Sequence, residues 1–427
     1  MADHTIANRA APIAPAERID TLDVLRGVAI CGILLMNIPW MGLSWNLGHP
    51  PFPAVPDRDW IAYSVQSLLF EGTMRGLFTL LFGAGMLLML RRVEVDGLAA
   101  PVEAWVRRCC ALLLLAIVQF GLLLWPGEIL FNYGITGLFL LPFRRIRPRW
   151  LIAIAACLLT LHAVHDGIDS AHEAAVVRAG DAALAAPLPR SPQQERRIIA
   201  RAEVLSGIEP TAESLAEERE QRLHFPSVWR WSVENWAYYN VEFNAWPSIL
   251  ESLGFMLVGM ALFRAGILTG QRRTGFYAGL AAGGYAIGLA LRGVALWLDW
   301  RAGFHIDPTA TTYHGIVYEP ARLAMTIGNV GAVIALLKAG WIGRAAPLKA
   351  LGRMALTTYL LQSLVTAILF YALGYYEAFG FATLMGVAAL IWVVTAAFAM
   401  WWLRRHAMGP VERLLRIMAY GRPAVAG

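Results

Sequence analysis

Charge is scarce in this sequence. Asp, Glu, Lys and Arg make up 15% of its 427 residues, where a water-soluble domain carries about 25%. Lysine is almost absent, present only at Lys338 and Lys349. Cysteine is equally sparse. Cys31, Cys109, Cys110 and Cys157 lie in or beside apolar runs with no CxxC or Cys/His zinc spacing, so they carry no redox or metal signature and read as small apolar side chains. Common catalytic signatures are missing too: no Walker A, no dinucleotide-binding glycine pattern before a strand, no HExxH and no GxSxG elbow. The 39 Gly show no period of three, which excludes a collagen-like fibre.

Apolar surface, by contrast, is abundant. Hydrophobic residues are 58% of the chain, with 16 Trp, and the mean hydropathy is +0.52. A soluble fold of this size would lack the polar surface to cover its core. The composition predicts an all-α, polytopic integral membrane helical bundle. Residues 22–43, 68–90, 105–125, 129–143, 150–165, 247–263, 275–297, 320–337, 355–373 and 380–403 read as about ten transmembrane helices. The segment 60–70 can lie along the surface before the second of these. The first run is too long for a signal-peptide core and has no cleavage site behind it, so it reads as a retained helix.

Basic residues fall on one side of this scheme. With a cytoplasmic amino terminus, the inner connections hold Arg91-Arg92 with Arg107-Arg108, the cluster Arg144 to Arg149, and Arg264 with Arg272-Arg273. They continue with Lys338 to Arg353 and end at Arg404-Arg405, while the outer connections carry almost none. This positive-inside pattern predicts both termini in the cytoplasm. Residues 167–246 differ, with 8 Arg against 12 Asp and Glu, a net of −4 against +10 for the remainder. The overall +6 therefore reports membrane orientation and no nucleic-acid footprint. Three parts result: 1–166 with helices one to five, an extracytoplasmic helical insertion 167–246, and 247–427 with helices six to ten. Within the insertion, Pro187 to Pro192 reads as a break and 193–222 as helical. Trp229, Trp231, Trp236, Tyr238, Tyr239, Phe243 and Trp246 suit an interface belt or a lid over an outward cavity.

Ionisable residues inside spans are costly and mark candidate sites. Asp23 and Arg26 share a helix face, as a local pair or as an anion site in which the guanidinium grips phosphate or carboxylate. Glu71 and Arg75 are spaced for a helical pair. Glu128 follows a Pro-Gly break, where it can cap the next helix or move a proton. Glu251, Arg292 and Arg322 lie in or near later spans, with Glu319 and Asp299 as acidic neighbours. His162 and His165 accompany Asp166 and Asp169. His305 and His314 follow in a later loop with Asp307. Such His-Asp sets can relay protons or bind metal; no ligand set for a metal centre is assigned.

The segments ERIDTLDVLRGVAICGILLMNIP, RGLFTLLFGAGMLLM, LLLWPGEILFNYGITGL, LGRMALTTYLLQSLV and GPVERLLRIMAYGR, in that order, resemble the DUF418 or YeiB-like family of bacterial inner-membrane proteins. Members are often described as transporters. That family is similar to a wider set of transmembrane acyltransferases, including acyltransferase-3 proteins, glucan succinylation proteins and the lysosomal heparan N-acetyltransferase. The resemblance implies that Arg26 lies on the side that meets acyl-CoA, and that Glu128 stands where the family's Gly-Asp-Ile-Leu segment has its acid. Family members commonly carry a His just before that segment; here Gln119 and Phe120 occupy the neighbourhood. The base would then be Glu128 or a residue of the set His162, His165, Asp166 and His314. Arg26, Asp23, Arg75, Arg292 and Arg322 form the candidate donor-binding set.

The leading expectation is an acyltransferase of the bacterial inner membrane. It would move an acyl group from cytoplasmic acyl-CoA to a hydroxyl or amine of a small-molecule, glycan or lipid acceptor at the outer face. The alternatives are a secondary transporter of a small polar or anionic solute and a non-catalytic membrane scaffold. Self-association is open at this level.

Overall fold

The computed structural model describes residues 19–46, 49–50, 55–96, 100–206, 210–242, 245–304, 307–341 and 345–421, with the side chains of 91–100 not described. Helices dominate it, and no strand occurs among the described residues. The first is α1 (Asp20–Gly42), followed by α2 (Arg58–Leu69), α3 (Thr73–Asp96), α4 (Ala100–Gly121) and α5 (Leu130–Phe139). Then come α6 (Pro148–Leu184), α7 (Pro192–Ser206), α8 (Ala212–Gln221), α9 (Phe225–Ala237) and α10 (Ala245–Arg264). The chain ends with α11 (Thr274–Arg301), α12 (Pro308–Lys338), α13 (Ala346–Arg353), α14 (Ala355–Ala367), α15 (Phe381–Leu403) and α16 (Pro410–Tyr420). Local chemistry sets several boundaries. Asp57 accepts from the backbone N–H of Asp59 and Trp60 to start α2. Asp307 does the same for α12, with Pro308 in the first turn.

Eight helical stretches among the described residues are long and apolar enough to cross a membrane: α1, the α2–α3 pair taken together, α6, α10, α11, α12, α14 with its π-helical extension to Ala372, and α15. The bundle is thus a polytopic one. Of the ten stretches expected, 105–125 and 129–143 fall outside these eight; the first forms the 22-residue α4. The second resolves into α5, ten residues long and so about 15 Å, plus a 3-10 turn at Leu141–Arg145; that is half a hydrocarbon core. The helix expected at 150–165 runs on without interruption to Leu184, so the boundary expected at Gly167 falls inside α6.

Burial separates inner from outer helices. In α1, α2–α3 and α10 about two-thirds of the apolar stretch is buried (67%, 67% and 61%), against 28%, 22% and 28% in α6, α11 and α15. The outer helices therefore turn most of their apolar surface outward, as lipid-facing helices must. Glycines set the closest crossings. A Cβ at Gly83 of α3 would lie 2.1 Å from the Met256 carbonyl oxygen, and one at Gly259 of α10 would lie 1.9 Å from that of Leu80. The two backbones touch reciprocally, which small residues allow. Gly27 of α1 and Gly352 of α13 meet in the same manner, against Leu348 O and Asp23 O.

Candidate functional site

The first polar group in the core sits at the interruption between α2 and α3. Phe70, Glu71 and Gly72 leave the helix, with Gly72 at φ 62°, and the last carbonyls of α2 need donors. Arginines supply them. Arg292 of α11 donates to Leu68 O at 3.1 Å, to Glu71 O, and to Thr73 Oγ1 at 2.8 Å. Arg322 of α12 donates through Nε to Gly72 O at 3.0 Å. Its terminal nitrogens bridge Glu251 of α10 and Glu319, the latter at 2.8 Å. Arg75 closes the group on Glu251 at 2.8 Å. Arg322, Glu251 and Glu319 are each 2% exposed, so the charges are affordable only because they are mutually paired. One oxygen of Glu319 has no hydrogen-bond partner. His162 lies within electrostatic reach of Glu251 and Glu319, and its Nδ1 is 2.9 Å from Asp166, off the line of a hydrogen bond.

A second polar group surrounds Glu128, in the connection between α4 and α5. Its carboxylate accepts from Leu130 N at 2.5 Å and Phe131 N at 3.1 Å, capping α5, and from Trp236 Nε1 of α9 at 2.9 Å. Trp236 also stacks on Phe120, 4.1 Å between ring centroids, and Ser232 donates to Phe120 O. The aromatic run of the insertion thus closes over Glu128. Burial pushes the Glu128 carboxyl up to about 7, against the opposing pull of the three donors.

Beside Glu128, α14 presents Tyr359, Gln362, Ser363 and Thr366 at i, i+3, i+4 and i+7, one polar stripe on an apolar helix. Gln119 of α4 donates to Ser363 Oγ at 2.5 Å. Tyr359 faces Trp125, Ile129 and Glu128. Two buried atoms in this small region lack a hydrogen-bond partner, Gln119 Oε1 and Gln362 Nε2, while Tyr359 Oη lies within reach of Trp125 Nε1 and Ile129 N. Native interiors leave few such atoms orphaned, and the pair marks a place that a polar group of a ligand or water can complete. Tyr133 joins the two polar groups. Its hydroxyl lies 2.6 Å from Thr79 Oγ1, and Arg75, Glu251 and Arg322 are its charged neighbours.

The remaining candidates are dispersed. Asp23 and Arg26 pair at 2.8 Å near the start of α1. Arg108 of α4, Glu412 and Tyr420 cluster nearby, with Arg26 within electrostatic reach of Arg108. Arg108 and Gln119 are eleven residues apart on α4, which is about 16 Å along its axis, so Arg26 and the Glu128 cluster are separated along that helix. His165 pairs with Asp169 on an exposed face at 2.8 Å, and His314 pairs with Asp299 at 2.7 Å. No histidine contacts Glu128 among the described residues, and no group of three metal-ligating side chains occurs among them. His305 lies outside the described residues. Gln119, Trp125, Tyr359, Gln362 and Ser363 escape a search for charge because all are neutral. For Tyr359, Gln362 and Ser363 the signal in the sequence is the helical spacing of polar residues within ALTTYLLQSLVTA.

The insertion is anchored by a buried pair that sequence reading also missed. Glu218 of α8 accepts from Ser44 Oγ at 2.5 Å and Trp45 N at 2.6 Å. Arg222 donates to Leu43 O at 2.7 Å and Trp40 O at 3.0 Å, capping the C-terminal end of α1 where a cation is favoured. It also reaches Tyr376 Oη at 3.0 Å and stacks on Trp231, 3.8 Å from the ring centroid.

These features define a multi-pass helical membrane protein whose core holds a paired charge group and a partly unsatisfied polar cluster at Glu128, covered by its own insertion. The chain belongs to the DUF418, YeiB-like family. Residues 262–422 match the family described as Protein of unknown function (DUF418). Over 431 aligned residues the chain is 30% identical to Uncharacterized protein YeiB of Escherichia coli K12, covering 94% of this chain and 96% of that protein. It is 28% identical to Uncharacterized protein YxaH of Bacillus subtilis strain 168, covering 96% of each. A 39.9 kDa protein from the amylase 3' region of Bacillus acidopullulyticus is 34% identical over 150 residues, 35% of this chain and 40% of that one. None of these names assigns an activity. No solved structure matches the chain.

Proposed function

We propose that this protein is a bacterial inner-membrane acyltransferase that moves an acyl group from acyl-CoA to an acceptor hydroxyl or amine at the Glu128 cluster. The observation that carries this reading is the convergence of Tyr359 and Trp125 with the unpartnered Gln119 Oε1 and Gln362 Nε2 beside a buried carboxyl. The donor's phosphates would rest against Arg26 and Arg108, and its arm would extend along α4 toward Tyr359. Ionised Glu128 takes the proton of the acceptor as its oxygen or nitrogen attacks the thioester carbonyl. Tyr359 Oη, Trp125 Nε1 or Gln362 Nε2 donates to the developing oxyanion. The C–S bond then breaks, and the CoA thiolate leaves with the proton that Glu128 returns. Purified protein in nanodiscs should consume acetyl-CoA when acceptor is present. Glu128→Gln should keep donor binding and lose turnover, and Tyr359→Phe should lower kcat about 10²-fold or more, the scale of a lost oxyanion donor. If wild type binds no acyl-CoA of any chain length, this reading fails.

A second reading has its own observation. The interrupted α2–α3 pair, with arginines on the freed carbonyls and an orphaned Glu319 oxygen, is the arrangement that transporters use for ion-coupled solutes. It predicts no acyl-CoA binding, and loss of solute exchange when Arg322 or Glu319 is neutralised.

A further inference from the structure

A separate cavity opens where the last turn of α1, the start of α2, α8 and the connection from α14 to α15 come together. Its volume is ≈ 260 Å³. The walls are apolar, with Trp40, Leu43, Leu215 and Phe381 the main surfaces. Their ionisable neighbours are Asp59, Glu377 and His49, and among the described residues neither lysine nor arginine lines the cavity. His49 Nδ1 is already engaged with Pro50 O at 2.7 Å.

Both carboxylates are built into place. Asp59 Oδ1 accepts from Ala382 N at 2.9 Å, which starts α15 and fixes the side chain. Gly380 leaves room for the other oxygen, since a Cβ there would lie 2.6 Å from Asp59 Oδ2. Glu377 sits in the left-handed region at φ 56°, an uncommon state for a residue with a side chain. The hydrogen bond from its N–H to Gly42 O at 2.8 Å holds it there. Backbone strain of this kind collects at ligand sites. Buried Arg222 acts on Glu377 from within, but it is committed to Glu218, Leu43 O, Trp40 O and Tyr376; the two arginines paired with the carboxylates approach from the water side. Arg58 is 4.0 Å from Asp59 with its side chain 78% exposed, and Arg219 is 3.4 Å from Glu377 and 61% exposed. Pairs so exposed neutralise little. Burial raises the Glu377 carboxyl above its ordinary range, and Arg219 offsets this only in part.

An apolar cavity with an aromatic wall and two carboxylates repels anions and gives a cation both a counter-charge and a ring face. We infer that this cavity is a binding site for an amphiphilic organic cation, an alkylammonium whose charged head meets Asp59 and Glu377 and whose apolar body lies against Trp40, Leu43, Leu215 and Phe381. This assignment is independent of acyl transfer and is measured with no acyl donor present.

The test uses full-length protein in nanodiscs, with empty nanodiscs as the partition control. Three probes of matched length, hexylammonium, hexanol and hexanoate, are compared by equilibrium dialysis. Hexylammonium should bind saturably and at least tenfold more tightly than hexanol, with hexanoate weakest. In the double variant D59N/E377Q its affinity should fall to that of hexanol. The assignment is overturned if hexanol matches hexylammonium on wild type, if hexanoate binds as well, or if none of the three saturates. It is equally overturned if the double variant, folded by chromatography and melting, keeps the ammonium preference. The probe series on wild type decides the matter even where the variant does not fold.

Discussion

At the scale of single residues, Glu128 concentrates the chemistry. Its environment opposes ionisation by burial and favours it by three donated hydrogen bonds, and burial prevails, placing the carboxyl at about 7. The ordinary value is 4.5, so between these limits the folded protein binds a proton that the unfolded chain releases. Stability should therefore fall as pH rises from about 4.5 to about 7. The sign is opposite to that of a paired surface carboxylate. Melting temperatures taken across this window should decline in wild type, and Glu128→Gln should flatten the slope. Under acyl transfer the same group must be ionised to act as base, so turnover should rise through pH 7 while stability drops. A wild-type melting profile that climbs over this interval would contradict the placement of Glu128.

At the scale of elements, the crossing of α3 and α10 is one of the closest backbone contacts of the inner bundle. It positions both polar groups, because Arg75 and Thr79 lie on α3 and Glu251 on α10. The contact is backbone on backbone, which no side-chain rotation can relieve. Gly83→Leu should force the helices apart and abolish a monodisperse, folded preparation. Gly85 is two residues away on the same helix, and nothing lies within 4 Å of a Cβ placed there; Gly85→Ala should melt within about 1 kcal/mol of wild type, since alanine also favours the helix. Equal behaviour of the two variants in size-exclusion chromatography and melting would show that the close crossing does not hold the bundle. The insertion is held in a different way. α8 docks through Glu218 and the adjoining Arg222, and α9 through aromatic contacts, Trp231 against Trp45 and Trp236 against Phe120 and Phe131, with Trp236 also reaching Glu128.

At the scale of the whole molecule, we expect the arginine clusters to set the orientation. An even number of crossings, eight or ten, would return the chain to the side on which it began, so we expect both termini in one compartment. Reporter fusions at Arg145 and at Glu213 in α8 should report opposite sides, with Arg145 cytoplasmic. Finding both in the cytoplasm would reject the arrangement. It would also remove the outer face from which the insertion covers the Glu128 cluster.

Composition by itself determined the solvent this protein folds in. With few charges and long apolar runs, helices are the main answer open to the chain in a bilayer, because each backbone group must be satisfied within its own segment. The family was legible for a related reason, since its motifs are local strings such as LDVLRG and WPGEILFNYG. Ionisable residues within the spans could also be named in advance, because charge in an apolar run is conspicuous. Their partners could not. Arg322 meets Glu251 from 71 residues away and Arg75 meets it from 176 away, and only helix packing brings such positions together. The same packing turned Arg292 and Arg322 into caps for a helix interruption that apolar periodicity runs straight through. It gathered Gln119, Trp125, Tyr359 and Gln362 beside Glu128, neutral residues whose significance is that packing buries their polar atoms together.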